Sequence, residues 1–100
     1  MPAYAVVTFS ISDRAWVRDY VKATGSIVRR HGGRYLVRTN QYNQLEGTSR
    51  PEHIVVIEFP SVQEANEFYD DAEYRPFRDS RIAGTSADSN FYIVPGDERG

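Results

Sequence analysis

The sequence predicts an α+β sandwich: a four-stranded antiparallel sheet with its helices on one face. Three observations predict it. Four β-rich runs, opening at Ala3, Arg34, His53 and Asn90, are separated by two stretches of helical periodicity and one turn-rich link. A double glycine, Gly32-Gly33, closes the first helical stretch and opens the second strand. The third run, HIVVIEF, is almost continuously apolar, the pattern of a strand covered on both faces in mid-sheet. One hundred residues suffice for one two-layer domain, expected over 1–95, with a flexible polar tail over 96–100.

Each element has its own justification. From Ala3 to Ile11, residues Ala5, Val7, Phe9 and Ile11 fall on one strand face, and Tyr4, Val6, Thr8 and Ser10 on the other. Ser12 or Asp13 offers the N-cap of a helix running to about Arg30. Trp16, Val17, Tyr20, Val21, Thr24, Ile27 and Val28 form its apolar stripe, with Arg14, Arg18, Lys22, Arg29 and Arg30 mostly opposite. Gly25 in mid-helix costs about 1 kcal/mol against alanine, so packing or a bend must offset it. The second strand is predicted to be long, from Arg34 to about Leu45. Tyr35, Val37 and Thr39 point one way, and Leu36, Arg38 and Asn40 the other. Its far half, NQYNQ, is the part expected to fray or bulge, and EGTSRPE then turns the chain into the third strand.

Ser61 with Glu64 forms an S-x-x-E capping box for the second helix, whose buried stripe is Val62, Ala65, Phe68 and Tyr69. Asp70-Asp71 breaks that helix. A shorter one continues to about Ile82, with Tyr74 and Phe77 inward and Pro76 tolerable only in the first turn. Asn90 to Val94 is the last strand. The order β-α-β-β-α-β is the split βαβ arrangement of the ferredoxin-like fold. Helices on one side leave apolar side chains bare on the other. The economical cover is a second copy, a homodimer through the open sheet face. The basic first helix and the acidic run Glu64, Glu67, Asp70, Asp71 and Glu73 are expected to lie side by side.

Composition narrows the function. With 40% hydrophobic and 26% charged residues and a net charge of −2, the chain reads as a soluble globular domain without the basic footprint of a nucleic-acid binder. It has no cysteine, so disulfides, thiolate metal sites and a cysteine nucleophile are excluded. No run approaches the roughly 18 apolar residues of a membrane span. The start, MPAYAVVTFSISD, reads as a strand rather than a signal peptide, so a cytoplasmic protein is expected. GxGxxG, GxxxxGK[ST], HExxH and GxSxG are all absent, leaving nucleotide binding and the standard hydrolases without support.

HGGRYLVR, LEG, RPE, IVVIEFPS, FYDDAEYRPFR and the closing FYIVPG together resemble the domain-of-unknown-function family thirteen-thirty, over nearly the whole chain. The resemblance implies a subunit of a dimeric α/β barrel, in a superfamily that includes cofactor-free quinone-forming monooxygenases, haem-degrading enzymes and muconolactone isomerases. The family itself has no general assigned reaction. Thr39-Asn40 stands where the family often has Gly-Gly, and Ser49 where it often has an aromatic residue; both positions would rim a pocket.

Four constellations carry chemistry. Arg38 and Glu58 are charged residues inside apolar strands and fall near each other if the chain folds back about Gly47 to Pro51. A guanidinium there suits bidentate binding of a carboxylate, enolate or phenolate; the structural alternative is an ion pair that fixes register. Trp16 and Tyr20, one helical turn apart, form either core or a flat wall for a ring-shaped ligand, with Gly25 leaving room beside them. His53 is a candidate acid/base near Glu46, while His31 reads as a helix cap, and the two lack metal-like spacing. Tyr74 and Arg78 are four apart and would supply a hydroxyl donor and a charge at a pocket edge; the alternative is packing plus solvated arginines, Arg75 and Arg81 among them.

Two functional expectations follow. In the first, the chain is a homodimer that binds a small aromatic or polyketide-like acid or enol between helices and sheet, without a tightly bound cofactor. Arg38, Trp16, Tyr20 and Arg78 would bind, His53, Glu58 and Tyr74 would move protons, and oxygenation, isomerisation or cyclisation would all fit. In the second, it is a non-catalytic binding or stress-response module whose helix-sheet gap is filled by Trp16, Tyr20 and Phe68. An open cleft of some 300 Å³ or more separates the two.

Overall fold

The computed structural model describes residues 1–97. Its elements run β1 (Ala3–Phe9), α1 (Val17–Arg30), β2 (Arg34–Thr39), β3 (His53–Phe59), α2 (Val62–Tyr69), α3 (Arg75–Ala83) and β4 (Asn90–Pro95). The four strands pair antiparallel in the order β2-β3-β1-β4, with the three helices on one face, as the ferredoxin-like order predicts. The second predicted helix is the broken pair α2 and α3.

The core lies between that face and the helices. Ala3, Ala5 and Val7 of β1 are buried there with Ile57 and Phe59 of β3, under Ile27 and Val28 of α1 and Ala65 and Phe68 of α2. Phe68 stacks between Phe59 and Tyr74, at 5.4 and 4.3 Å between ring centroids. Ser61 caps α2 by accepting from the Glu64 N–H at 3.2 Å, and Pro76 does sit in the first turn of α3. The charge stripes meet where α1 ends. Arg30 bonds Asp71 at 2.7 Å and Glu73 at 3.2 Å, and His31 Nε2 lies 2.7 Å from the same Asp71 carboxylate. The His31 hydrogen bond first, then Arg30 and the Glu73 N–H, hold the Asp71 carboxyl well below the usual carboxylate range.

Several boundaries differ from the sequence expectation. β1 ends at Phe9, and Ile11 keeps a single bridge to Thr85. The α1 helix begins at Val17 rather than after Asp13, because Ser12 and Asp13 donate their N–H groups to Gly84 O. Asp13 Oδ1 then accepts from Ala15 N in a local turn one step before the helix. The β2 strand stops at Thr39, not Leu45. The polar side chains beyond it satisfy themselves within the connecting loop: Tyr42 donates to Pro51 O at 2.6 Å and Gln44 to Ser49 O at 2.7 Å. Only Gly32 of the double glycine has a positive φ, +77°. Gly33 is needed for a close approach, since a Cβ there would meet Phe59 and Val28 at 2.7 and 2.8 Å. At the far end Gly96 N donates to Pro2 O at 2.8 Å, and the rest of the expected tail, 98–100, lies outside the described residues.

The correction that matters most is a β-bulge. Tyr35 pairs with Ile57, but Val37 pairs with Val56, so Leu36 is an extra residue in β2. Alternation flips there, and Arg38 pairs with Val55 on the helix-covered face that Tyr35 also occupies.

Candidate functional site

Between α1 and the sheet lies a pocket of about 540 Å³. Its floor is one row of paired residues across all four strands: Arg38, Val55, Val7 and Phe91. Next to that row stand Tyr35 and Ile57 on one side and Phe9 and His53 on the other. Trp16, Val17, Tyr20, Val21 and Thr24, successive turns of the α1 stripe, form the wall, and Thr39 and Asn40 the rim by β2. The stripe that was to bury against the sheet thus packs fully only at its C-terminal end. Thr24, Ile27 and Val28 are buried there, while Val21 remains 65% exposed.

The aromatic walls are fixed by mutual packing. Trp16 and Tyr20 meet edge to face at 5.2 Å, and Trp16 Nε1 donates to Gly84 O at 3.2 Å. Phe9 stacks on the His53 ring at 5.1 Å. Tyr20 and Tyr74 share a hydroxyl–hydroxyl hydrogen bond of 2.5 Å. Loss of solvent, followed by the neighbouring Tyr74, pushes the Tyr20 hydroxyl well above the ordinary tyrosine value; loss of solvent also raises Tyr35. Both therefore stay protonated donors at neutral pH. The Arg38 guanidinium lies over the Tyr35 ring, 4.5 Å from its centroid, exposed at the mouth.

Four of the seven predicted site residues meet here: Trp16, Tyr20, Arg38 and His53. Tyr74 is fully buried behind the wall and reaches the pocket only through Tyr20. Arg78 packs over Tyr69 and donates to Tyr69 O at 3.0 Å, away from the lining. The expected Arg38–Glu58 pairing does not form, because the bulge puts the two on opposite faces. Glu58 faces the open side, where it accepts from Arg34 Nε at 2.8 Å and Tyr4 hydroxyl at 3.5 Å. His53 lies beside Glu52, at 3.6 Å, rather than Glu46. Glu52 is itself anchored: Ile11 N–H first, with Arg14 adding, keeps its carboxyl low. Gly25 does not line the pocket.

Sequence reasoning missed Tyr35, Glu52 and Arg81 at this site. Arg81 read as a surface arginine in a basic strip, yet it is 5% exposed and lines the pocket. The available signal was its spacing: four residues from Phe77, on the inner side of a short amphipathic helix. Among the described residues no cluster of His, Asp or Glu has the makings of a metal site, and no helix is long and apolar enough to cross a membrane.

A ferredoxin-like sheet with an aromatic pocket under its first helix defines the class: a small α+β protein with an open helix-sheet cleft. The chain belongs to the family Domain of unknown function (DUF1330), whose model matches residues 2–97. Among solved structures it resembles a protein of unknown function from Rhodopseudomonas palustris, at 20% identity over 97% of this chain and 83% of that one, with a TM-score of 0.78. SnoaB, a cofactor-independent oxygenase from Streptomyces nogalater, shares 10% identity over 97% and 94% of the two chains, with a TM-score of 0.65. A Mycobacterium tuberculosis protein matches at 15% identity over 100% of both, with a TM-score of 0.64. At these identities the likeness is one of fold. No curated protein matches the sequence.

Proposed function

We propose that this chain is a homodimeric protein that binds a small, flat aromatic or polyketide-like acid or enol and acts on it without a tightly bound cofactor. The observation that carries the proposal is the pocket itself: about 540 Å³, walled by Trp16, Tyr20 and Phe9, with a guanidinium at its mouth. That volume suits a ligand of two or three fused rings. The likeness in fold to SnoaB, described as a cofactor-independent oxygenase, supports the same chemistry class. The alternative of a non-catalytic module required a gap filled by Trp16, Tyr20 and Phe68. Phe68 packs instead in the core, and the gap is open.

In this reading the ligand's ring lies along the aromatic wall. Arg38 holds an enolate, phenolate or carboxylate oxygen through its planar fork. The His53 imidazole, stacked on Phe9, receives the proton whose removal starts an oxygenation, isomerisation or cyclisation. Tyr74 acts through Tyr20, whose hydroxyl it orients. The open sheet face would be covered by a second copy, and the protein would work in the cytoplasm. Thermal-shift and crystal-soaking screens with aromatic acids test the proposal, together with Arg38→Ala. A binder weakened by that substitution supports it. No binder at all, or one indifferent to Arg38, overturns it.

A further inference from the structure

Among the described residues, Arg81 is the charged side chain with two buried donors left unpartnered. It projects from α3 with 5% exposure and lies over the Phe91 ring, 5.2 Å from its centroid. Its Nε and Nη2 donors are buried without a hydrogen-bond partner among the described residues. The groups around it are the Phe91 and Tyr69 rings and the Tyr20–Tyr74 hydroxyl pair, of which Tyr74 hydrogen-bonds the guanidinium, and no carboxylate is among them. Arginine cannot escape such a position by losing its proton, and a desolvated charge with no counter-charge is strongly unfavourable. An anion seated beside it would supply the counter-charge.

Its position says what that anion belongs to. Arg81 lines the same pocket as Arg38, and the floor row of Arg38, Val55, Val7 and Phe91 runs straight between them. Arg38 stands on β2 at one sheet edge and Arg81 over β4 at the other, three strand spacings or roughly 14 Å apart. The apolar and aromatic surface of the pocket lies between these two cationic ends. We infer that Arg81 is the deep anion anchor of this pocket, taking the carboxylate or enolate oxygen of a flat aromatic ligand at the end opposite Arg38. The inference rests on the proposed pocket function and narrows it to ligands carrying negative charge at their buried end.

The test compares 2-naphthoate with its neutral isostere 2-naphthamide by calorimetric titration and thermal shift, on wild type, Arg81→Met, Arg81→Lys and Arg38→Ala. Wild type is expected to prefer the acid by roughly tenfold or more, as a charge-assisted hydrogen bond in a dry site provides. Arg81→Met is expected to bind both probes alike and, unliganded, to melt above wild type, since it removes an unpaired buried charge. Arg81→Lys keeps part of the preference, and Arg38→Ala weakens the binding of both probes while keeping most of the acid-over-amide ratio. An acid preference that survives Arg81→Met, or unliganded Arg81→Met melting well below wild type, overturns the Arg81 assignment and leaves the pocket reading standing. If neither probe binds wild type, both fall together.

Discussion

Tyr35 and Arg38 share one face of the sheet although they stand three positions apart in a strand, where alternation would set them on opposite faces. The Leu36 bulge is the cause, and the guanidinium resting over the Tyr35 ring at 4.5 Å is the consequence. The cleft therefore owes its cationic mouth to a bulge that absorbs one extra residue in an edge strand.

Deleting Leu36 removes the extra residue and makes the ladder regular, leaving Arg38 two positions after Tyr35 and still opposite Val55 on the helix-covered face. The expected outcome is that aromatic-acid binding is kept in the deletion variant and lost in Arg38→Ala, with the fold retained by circular dichroism in both. Arg38→Ala alone, at an exposed position, should change unfolding free energy by no more than about 0.5 kcal/mol. Urea titration of both variants checks this, and a loss of binding in the deletion variant as large as in Arg38→Ala would refute Leu36 as the extra residue.

Two glycines make opposite predictions. At Gly25 a Cβ would meet nothing closer than the movable Arg29 guanidinium at 3.4 Å, and α1 runs through unbroken. Gly25→Ala should stabilise the protein by about 0.5–1 kcal/mol through helix propensity alone. At Gly33 the same methyl would collide with Phe59 and Val28 inside the core, so Gly33→Ala should destabilise by about 1–3 kcal/mol. Thermal unfolding of the pair gives the two signs directly.

Asp71 makes stability fall in acid. Its carboxyl is held low in the folded state by His31, Arg30 and the Glu73 N–H, so the folded protein keeps it charged where the unfolded chain, near the ordinary value of about 4, takes up a proton. The contribution is complete above that value and is lost progressively as pH falls below about 5. Asp71→Asn should lower stability at pH 7, by about 1 kcal/mol after allowance for the exposure of Arg30, and should flatten the decline between pH 5 and 3. An unchanged acid slope in the variant would remove Asp71 from the explanation.

What was legible in the sequence was whatever depends on local pattern. HIVVIEF announced a central strand, Gly32-Gly33 the end of α1, Ser61 with Glu64 the cap of α2, and Pro76 the start of α3; each signal lies within a few adjacent residues. Trp16 and Tyr20 were visible as a pair one helical turn apart, though not whether they fill the gap or line it. What failed depends on three-dimensional register. The bulge at Leu36 has no glycine or proline to mark it, and it reverses the facing of Arg38 and so dissolves the expected pairing with Glu58. The start of α1 was misplaced because Gly84, distant in sequence, captures the N–H groups of Ser12 and Asp13. Arg81 was invisible because an arginine reads as surface until the rings that cover it are known.

The same register makes the dimer testable. On the open face Val37, Val56, Val6 and Tyr92 form an apolar row across all four strands, with Arg34, Glu58, Tyr4 and Val94 along one side and Thr39, Ile54, Thr8 and Asn90 along the other. Tyr92 is 54% exposed in the single chain, and Val37 and Val94 are 38% and 39% exposed. A twofold axis through such a face sets the row of one copy against that of the other, where burial at roughly 25 cal/mol per Å² favours association. Tyr92→Glu places a carboxylate from each copy in that contact, and two unpaired charges in an apolar interface are strongly unfavourable. Wild type should sediment as a dimer at micromolar concentration and Tyr92→Glu as a monomer that keeps its helix and strand content. A wild type that stays monomeric under those conditions would leave the apolar row wet and remove the reason for a second copy.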